Sequence, residues 1–189
     1  MIAIPLTLTF LRLALGPLAI VLACAHAPRM IFAPLLLAGM LSDIFDGVLA
    51  RKFGVVRPWL RRFDSATDII YYLCIFVATW LVAGAVLRAS WLYLALIIGS
   101  EALCLIVSWM RFGVMPATHC YSAKIYGLAL CGVFVAVLAF GAGATAFAIL
   151  AIFALVANAE VIAVLLLARE APVDVPTVFR LNRHSRIQN

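Results

Sequence analysis

The sequence predicts an all-α integral membrane protein of six transmembrane helices with both termini cytoplasmic. Three observations carry that expectation. Of the 189 residues, 67% are hydrophobic and the mean hydropathy is +1.18, well above the roughly half-apolar content of a soluble domain. Six apolar runs of about 20 residues can be cut between loop signals, each long enough to cross a ~30 Å hydrocarbon layer. The 14 lysines and arginines gather on alternate connections. So much apolar surface cannot be enclosed in one small water-soluble core. In lipid, helices are the open spanning element, because a lone strand leaves its backbone groups without partners.

The elements follow in order. The first run covers 6–25. No basic region precedes it and Arg12 interrupts it, so it reads as a retained transmembrane helix and not as a cleaved signal. "AHAPR" breaks the chain before a second run, 30–50. A basic connection with Arg51, Lys52, Arg57, Arg61 and Arg62 leads to runs at 69–87 and 91–109. "RFGVMPATHC" separates these from 121–140, and "GAGAT" leads into 146–167. Arg111, Lys124 and the tail arginines (Arg169, Arg180, Arg183, Arg186) fall on the same side as the basic connection, while only Arg29 and Arg88 fall opposite. Positive charge stays cytoplasmic, which orients the chain. We expect a transmembrane domain over 1–168 and a basic tail over 169–189, exposed near anionic headgroups. Nucleic acid is not an expected partner. The five cysteines share no spacing and read as small buried hydrophobes, with no metal or disulfide framework.

Half of the eight acidic residues lie between positions 43 and 68. At 100° per residue, Asp46 stands about 60° and Gly47 about 40° from Asp43, with Ala50 about 20° short of two turns. Asp43, Asp46, Gly47 and Ala50 therefore share one helix face, with Arg51 at its edge. Asp64 and Asp68 are one turn apart on the next helix, and antiparallel packing of the pair lets the four carboxylates converge near the cytoplasmic end. Such a cluster repels itself unless neutralised, and hard oxygen donors suit magnesium, manganese or calcium. Two divalent cations offset four carboxylates. Small residues on the same face admit a substrate, and nearby arginines suit phosphate. Metal, arginine and carboxylate at a membrane surface suggest phosphoryl-type transfer on a lipid. A cation pathway uses the same residue types.

The run Asp43, Asp46, Gly47, Ala50, Arg51, Asp64, Asp68 resembles the signature D-x2-D-G-x2-A-R-x8-G-x3-D-x3-D of the CDP-alcohol phosphotransferases. "LTFLR", Leu8 to Arg12, is similar to the L-T-x-x-R in the first helix of many members. The resemblance extends over most of the chain, to about residue 168. One position departs: Leu60 stands where the signature has its second glycine, a small residue thought to leave room beside the nucleotide. Either the helix starts later here or the pocket is shaped differently. The resemblance implies that the phosphatidyl group of a CDP-linked donor, usually CDP-diacylglycerol, passes to an alcohol and CMP leaves. It implies a two-metal site of Mg2+ or Mn2+ held by Asp43, Asp46, Asp64 and Asp68, with Asp68 also the general base. It implies CDP binding by Asp43, Gly47, Ala50 and Arg51, and a homodimer.

The acceptor is read from fewer residues. Lys124 opens the fifth helix where several relatives bind the acceptor's phosphate, though Ala123 and Gly127 depart from their Gly-Lys-x-x-Thr run. Arg111 is a second candidate, and glycerol 3-phosphate is the favoured acceptor. Glu101 and Glu160, in the fourth and sixth helices, need a partner in lipid, and Arg12 is the basic residue expected to supply it. Two other classes stay open: a divalent-cation transporter, and a non-catalytic relative whose nucleotide site Leu60 closes.

Overall fold

The computed structural model describes residues 3–52, 58–114 and 120–168, and beyond them Glu170, Pro172, Val175, Thr177 and Val178. Six α-helices form among the described residues: α1 (Ala3–Cys24), α2 (Phe32–Lys52), α3 (Pro58–Ala89), α4 (Trp91–Phe112), α5 (Tyr121–Phe140) and α6 (Thr145–Leu167). A single 3₁₀ turn, Arg29–Ile31, leads into α2. No strand occurs among the described residues. All six helices are long and apolar enough to cross a membrane. The expected segments match these within a few residues, except that α3 begins eleven residues before the expected 69. Pro58 starts it, at a position where a missing N–H costs nothing. Its first turns carry Arg61, Arg62 and Asp64, too polar for lipid, so only the apolar run from Ile69 onward stands out in the sequence. α3 leaves helical geometry at Ala83 (φ −139°, ψ 37°), beside Gly84. Gly113 and Gly141 adopt φ of 67° and 70° and end α4 and α5, a left-handed conformation that glycine adopts without a Cβ clash.

The chain forms two compact units. The first comprises residues 1–88 and 131–143, so it holds α1, α2, most of α3 and the second half of α5. α1 buries Thr9, Arg12, Gly16, Ala19 and Ala23, and α2 buries Phe32, Leu35, Gly39, Ser42 and Asp46. Both series step by three and four residues, the spacing of a knobs-into-holes seam. Small side chains along both let the backbones approach, which drives association where lipid offers no hydrophobic gain. Because α1 and α2 fold back about Pro28, Arg12 comes level with residue 44. α3 closes on the pair. A Cβ at Gly16 would lie 3.2 Å from that of Cys74, and a Cβ at Gly39 would run into the Tyr71 ring. The Cys131 thiol of α5 reaches the carbonyl of Leu36 at 3.8 Å.

The second unit comprises residues 89–130 and 144–189, with α4, the first half of α5 and α6. The Asn158 amide of α6 donates to Ser100 Oγ of α4 at 2.9 Å. Cys104, Cys120, Val161, Val164, Leu165 and Val175 form one buried cluster. The tail was expected to be exposed. At Val175 it is instead anchored, because this side chain is only 4% exposed and its carbonyl accepts from the Cys120 thiol at 3.4 Å. Outside both units' cores the spans show lipid-type side chains outward, such as Ile98, Trp109 and Met110.

Two predictions follow from this packing. Gly39→Ala overpacks the Tyr71 contact and is expected to cost about 1–3 kcal/mol. Gly132→Ala, where no described atom lies within 4 Å of the added Cβ, is expected to be neutral or slightly stabilising. Thermal unfolding in detergent separates the two. Burial, aided by Glu160, holds the Cys120 thiol above its ordinary pKa. With the other cysteines replaced by alanine, maleimide is therefore expected to label Cys120 slowly at pH 7, faster as pH rises past the usual thiol range, and faster at once in Val175→Asp.

Candidate functional site

Three of the four carboxylates expected to converge, Asp43, Asp46 and Asp68, meet around a guanidinium. Arg12 lies on the inner seam of α1 and is 1% exposed. Its Nη2 donates to Asp46 Oδ2 and its Nη1 to Asp68 Oδ1. Asp43 Oδ1 lies 3.2 Å from the same Nη1. Asp46 is buried in the α2 seam, while the side chains of Asp43 and Asp68 are 51% and 35% exposed. The arrangement grades from a shielded pair, Arg12 with Asp46, to carboxylates that reach outward. Paired charges this deep in a membrane helix face a partner or cavity, and removal of one member leaves the other uncompensated.

The surroundings fix the geometry. Asp43 and Asp46 stand nine and six residues before α2 ends at Lys52, and Asp68 stands ten residues after α3 begins at Pro58. Tyr71 sits one turn beyond Asp68 and fits its ring against Gly39, which sets the height of α3 on α2. The Ser42 hydroxyl donates to the Gly39 carbonyl at 2.7 Å. Next to Asp46, Gly47 has no described atom within 4 Å of where a Cβ would stand, so this stretch of α2 is open to close approach. Ala50, Arg51 and Asp64 lie on α2 and α3 by backbone, but their side chains are outside the described residues. Leu60 is in the first turn of α3, so a late helix start does not explain this departure from the signature.

Arg12 is the residue whose role the sequence reading missed. It was assigned to Glu101 or Glu160, yet its described ion partners are three of the four clustered aspartates. Those glutamates find other partners within the second unit: Glu160 accepts from the Ser122 hydroxyl, and Glu101 hydrogen-bonds with Tyr126. The signal was present in the seam, which folds Arg12 back to the level of Asp43 and Asp46.

Arg111 and Lys124, the acceptor candidates, also belong to the second unit and differ in what they do there. Arg111 Nη1 donates to the carbonyls of Leu165, at 2.9 Å, and Leu166, and its Nη2 to that of Ala168, at 3.3 Å. It satisfies the carbonyls left open at the end of α6 and lies at the favourable end of that helix dipole. Lys124 is exposed, with its ammonium 5.4 Å from the Tyr121 ring centroid.

The donor set of the cluster is carboxylate oxygen alone, which fits magnesium or manganese and not a soft metal. Among the described residues the carboxylates are arranged around Arg12 and form no three-ligand metal cage. The contrast in the second unit gives a prediction. Arg111→Ala is expected to lower thermal stability by about 1–3 kcal/mol through the orphaned carbonyls, and Lys124→Ala by less than about 0.5 kcal/mol, both measured by thermal unfolding.

No curated protein and no solved structure matches the chain significantly. A family model described as CDP-alcohol phosphatidyltransferase matches residues 2–175. That match takes in α1 to α6 and runs on to Val175, the buried anchor of the tail. It covers nearly the whole chain, including Arg12 and all four clustered aspartates, and the chain belongs to the CDP-alcohol phosphatidyltransferase family.

Proposed function

We propose that the chain moves the phosphatidyl group of CDP-diacylglycerol to an alcohol and releases CMP, with glycerol 3-phosphate as the favoured acceptor. The observation that carries this reading is the convergence of Asp43, Asp46 and Asp68 on one point inside the apolar length of α1 to α3, in a member of this family. In this reading Asp43, Asp46, Asp64 and Asp68 hold two magnesium or manganese ions. When bound, the cations offset the charge that builds on the pyrophosphate as CMP departs.

The chain's own residues do the rest. Asp43, Gly47, Ala50 and Arg51 receive the CDP moiety, and the open space beside Gly47 supports a close approach of the nucleotide there. Asp68, partly exposed, accepts the proton of the acceptor hydroxyl as its oxygen bonds to the phosphatidyl phosphorus. The bond from that phosphorus to the CMP oxygen breaks, and the electron pair leaves with CMP. Lys124 supports a phosphorylated acceptor. Arg111 is already engaged at the end of α6, so the acceptor's phosphate is assigned to Lys124 first. The bias of basic residues supports a cytoplasm-facing site, and the family resemblance supports a homodimer.

The test is CMP release from CDP-diacylglycerol by purified protein in detergent, with magnesium or manganese, across glycerol 3-phosphate, inositol phosphate, serine, choline and phosphatidylglycerol. Release with glycerol 3-phosphate, reduced about 10²–10⁴-fold in Asp68→Asn, is expected. Release only with another acceptor would move the substrate and keep the reaction. No release with any acceptor from folded protein, together with manganese flux into proteoliposomes, would replace the enzyme by a transporter.

A further inference from the structure

Arg12 stands at the point where three of the aspartates meet. The guanidinium stands among Asp43, Asp46 and Asp68, buried, with both of its terminal nitrogens engaged. We propose that Arg12 is an internal counter-ion that makes divalent-cation binding and nucleotide binding depend on each other, an inference that rests on the reading of these aspartates as the cation site.

The argument is one of charge and space. Without a cation, three carboxylates of unlike exposure are held together by one fixed positive charge, which keeps the cluster assembled. Arginine cannot release that charge by losing its proton. A divalent cation entering the cluster meets carboxylates already paired and a like charge a few ångströms away. Two such cations balance four aspartates and leave the guanidinium charge over. That surplus lies in an apolar stretch of three helices, where an uncompensated charge is costly. An anion delivered to the same place removes the cost, and the pyrophosphate of a CDP group is such an anion. Cation and nucleotide therefore each bind better when the other is present, and the coupling is equal in both directions. The cation site would stay largely empty until a nucleotide lipid arrives.

The test measures Mn2+ binding to the purified full-length chain by electron paramagnetic resonance, with and without soluble CDP, corrected for Mn2+ chelation by free CDP. Wild type is expected to bind Mn2+ weakly alone and about tenfold or more tightly with CDP, within the usual range of site coupling. Arg12→Gln, which keeps hydrogen bonding and loses the charge, is expected to bind Mn2+ alone about tenfold more tightly than wild type, with the CDP effect reduced to within about threefold. Arg12→Lys, which keeps the charge, is expected to preserve the coupling. Equal or weaker Mn2+ binding by folded Arg12→Gln would overturn the inference and leave the cation site standing. Absence of coupling in wild type would overturn it as well, whatever the variants do. No Mn2+ binding by wild type or variant, with and without CDP, would overturn the cation site itself and the inference with it.

Discussion

The ion pair of Arg12 and Asp46 is the contact on which the first unit depends. Both side chains lie on seams that otherwise carry glycine, alanine, serine, threonine and apolar residues. An arginine and an aspartate buried separately in lipid would each be expensive. Together they are tolerated, and they fix the register of α1 on α2, since a shift of one turn would strand both charges. Packing alone specifies register weakly between helices lined by small residues; a buried charge pair specifies it strongly. Asp68 adds α3 to the same point, and Tyr71 against Gly39 fixes how far along α2 that third helix sits.

The second unit is held by polar contacts of another kind. Its α4 and α6 share the Asn158–Ser100 hydrogen bond, and Arg111 binds the carbonyls at the end of α6. Glu160 accepts from the Ser122 hydroxyl, and the Cys120 thiol donates to the Val175 carbonyl. These are mostly neutral partners or a charge on backbone. None gathers like charges, which makes them ordinary structural contacts. Among the described residues the first unit alone concentrates carboxylates and accepts the repulsion that follows. Proteins keep such arrangements where a ligand offsets them.

Much of this was legible in the sequence, and the failures have physical reasons. The six spans could be read because a bilayer imposes length and apolarity on each helix. The aspartate cluster could be read because its spacing fixes a helix face. The start of α3 was misplaced because a helix can continue past the membrane through Arg61, Arg62 and Asp64 without being apolar. Arg12 was given the wrong partners because charge pairing was sought among lone glutamates, while the antiparallel seam that decides the matter is a tertiary property. Arg111 was offered to a phosphate on its charge, and the α6 carbonyls it also meets are not visible in sequence. The tail looked exposed because its two prolines and scattered charges hide one anchoring valine.

The length of α3 carries a further consequence. The helix has 32 residues, about 48 Å at 1.5 Å per residue against a hydrocarbon core of ~30 Å, so it is longer than the layer it crosses. Its first two turns carry Arg61, Arg62 and Asp64, and an apolar run begins at Ile69, just past Asp68, so one helix carries the change from polar to apolar sequence. A lipid substrate can thus be met at the depth where its headgroup already lies. Drawing a diacyl lipid out of the bilayer would expose some thirty methylenes at ~0.8 kcal/mol each, on the order of 20 kcal/mol. A helix that overshoots the membrane spares the reaction that extraction, because the protein and not the lipid spans the change of solvent.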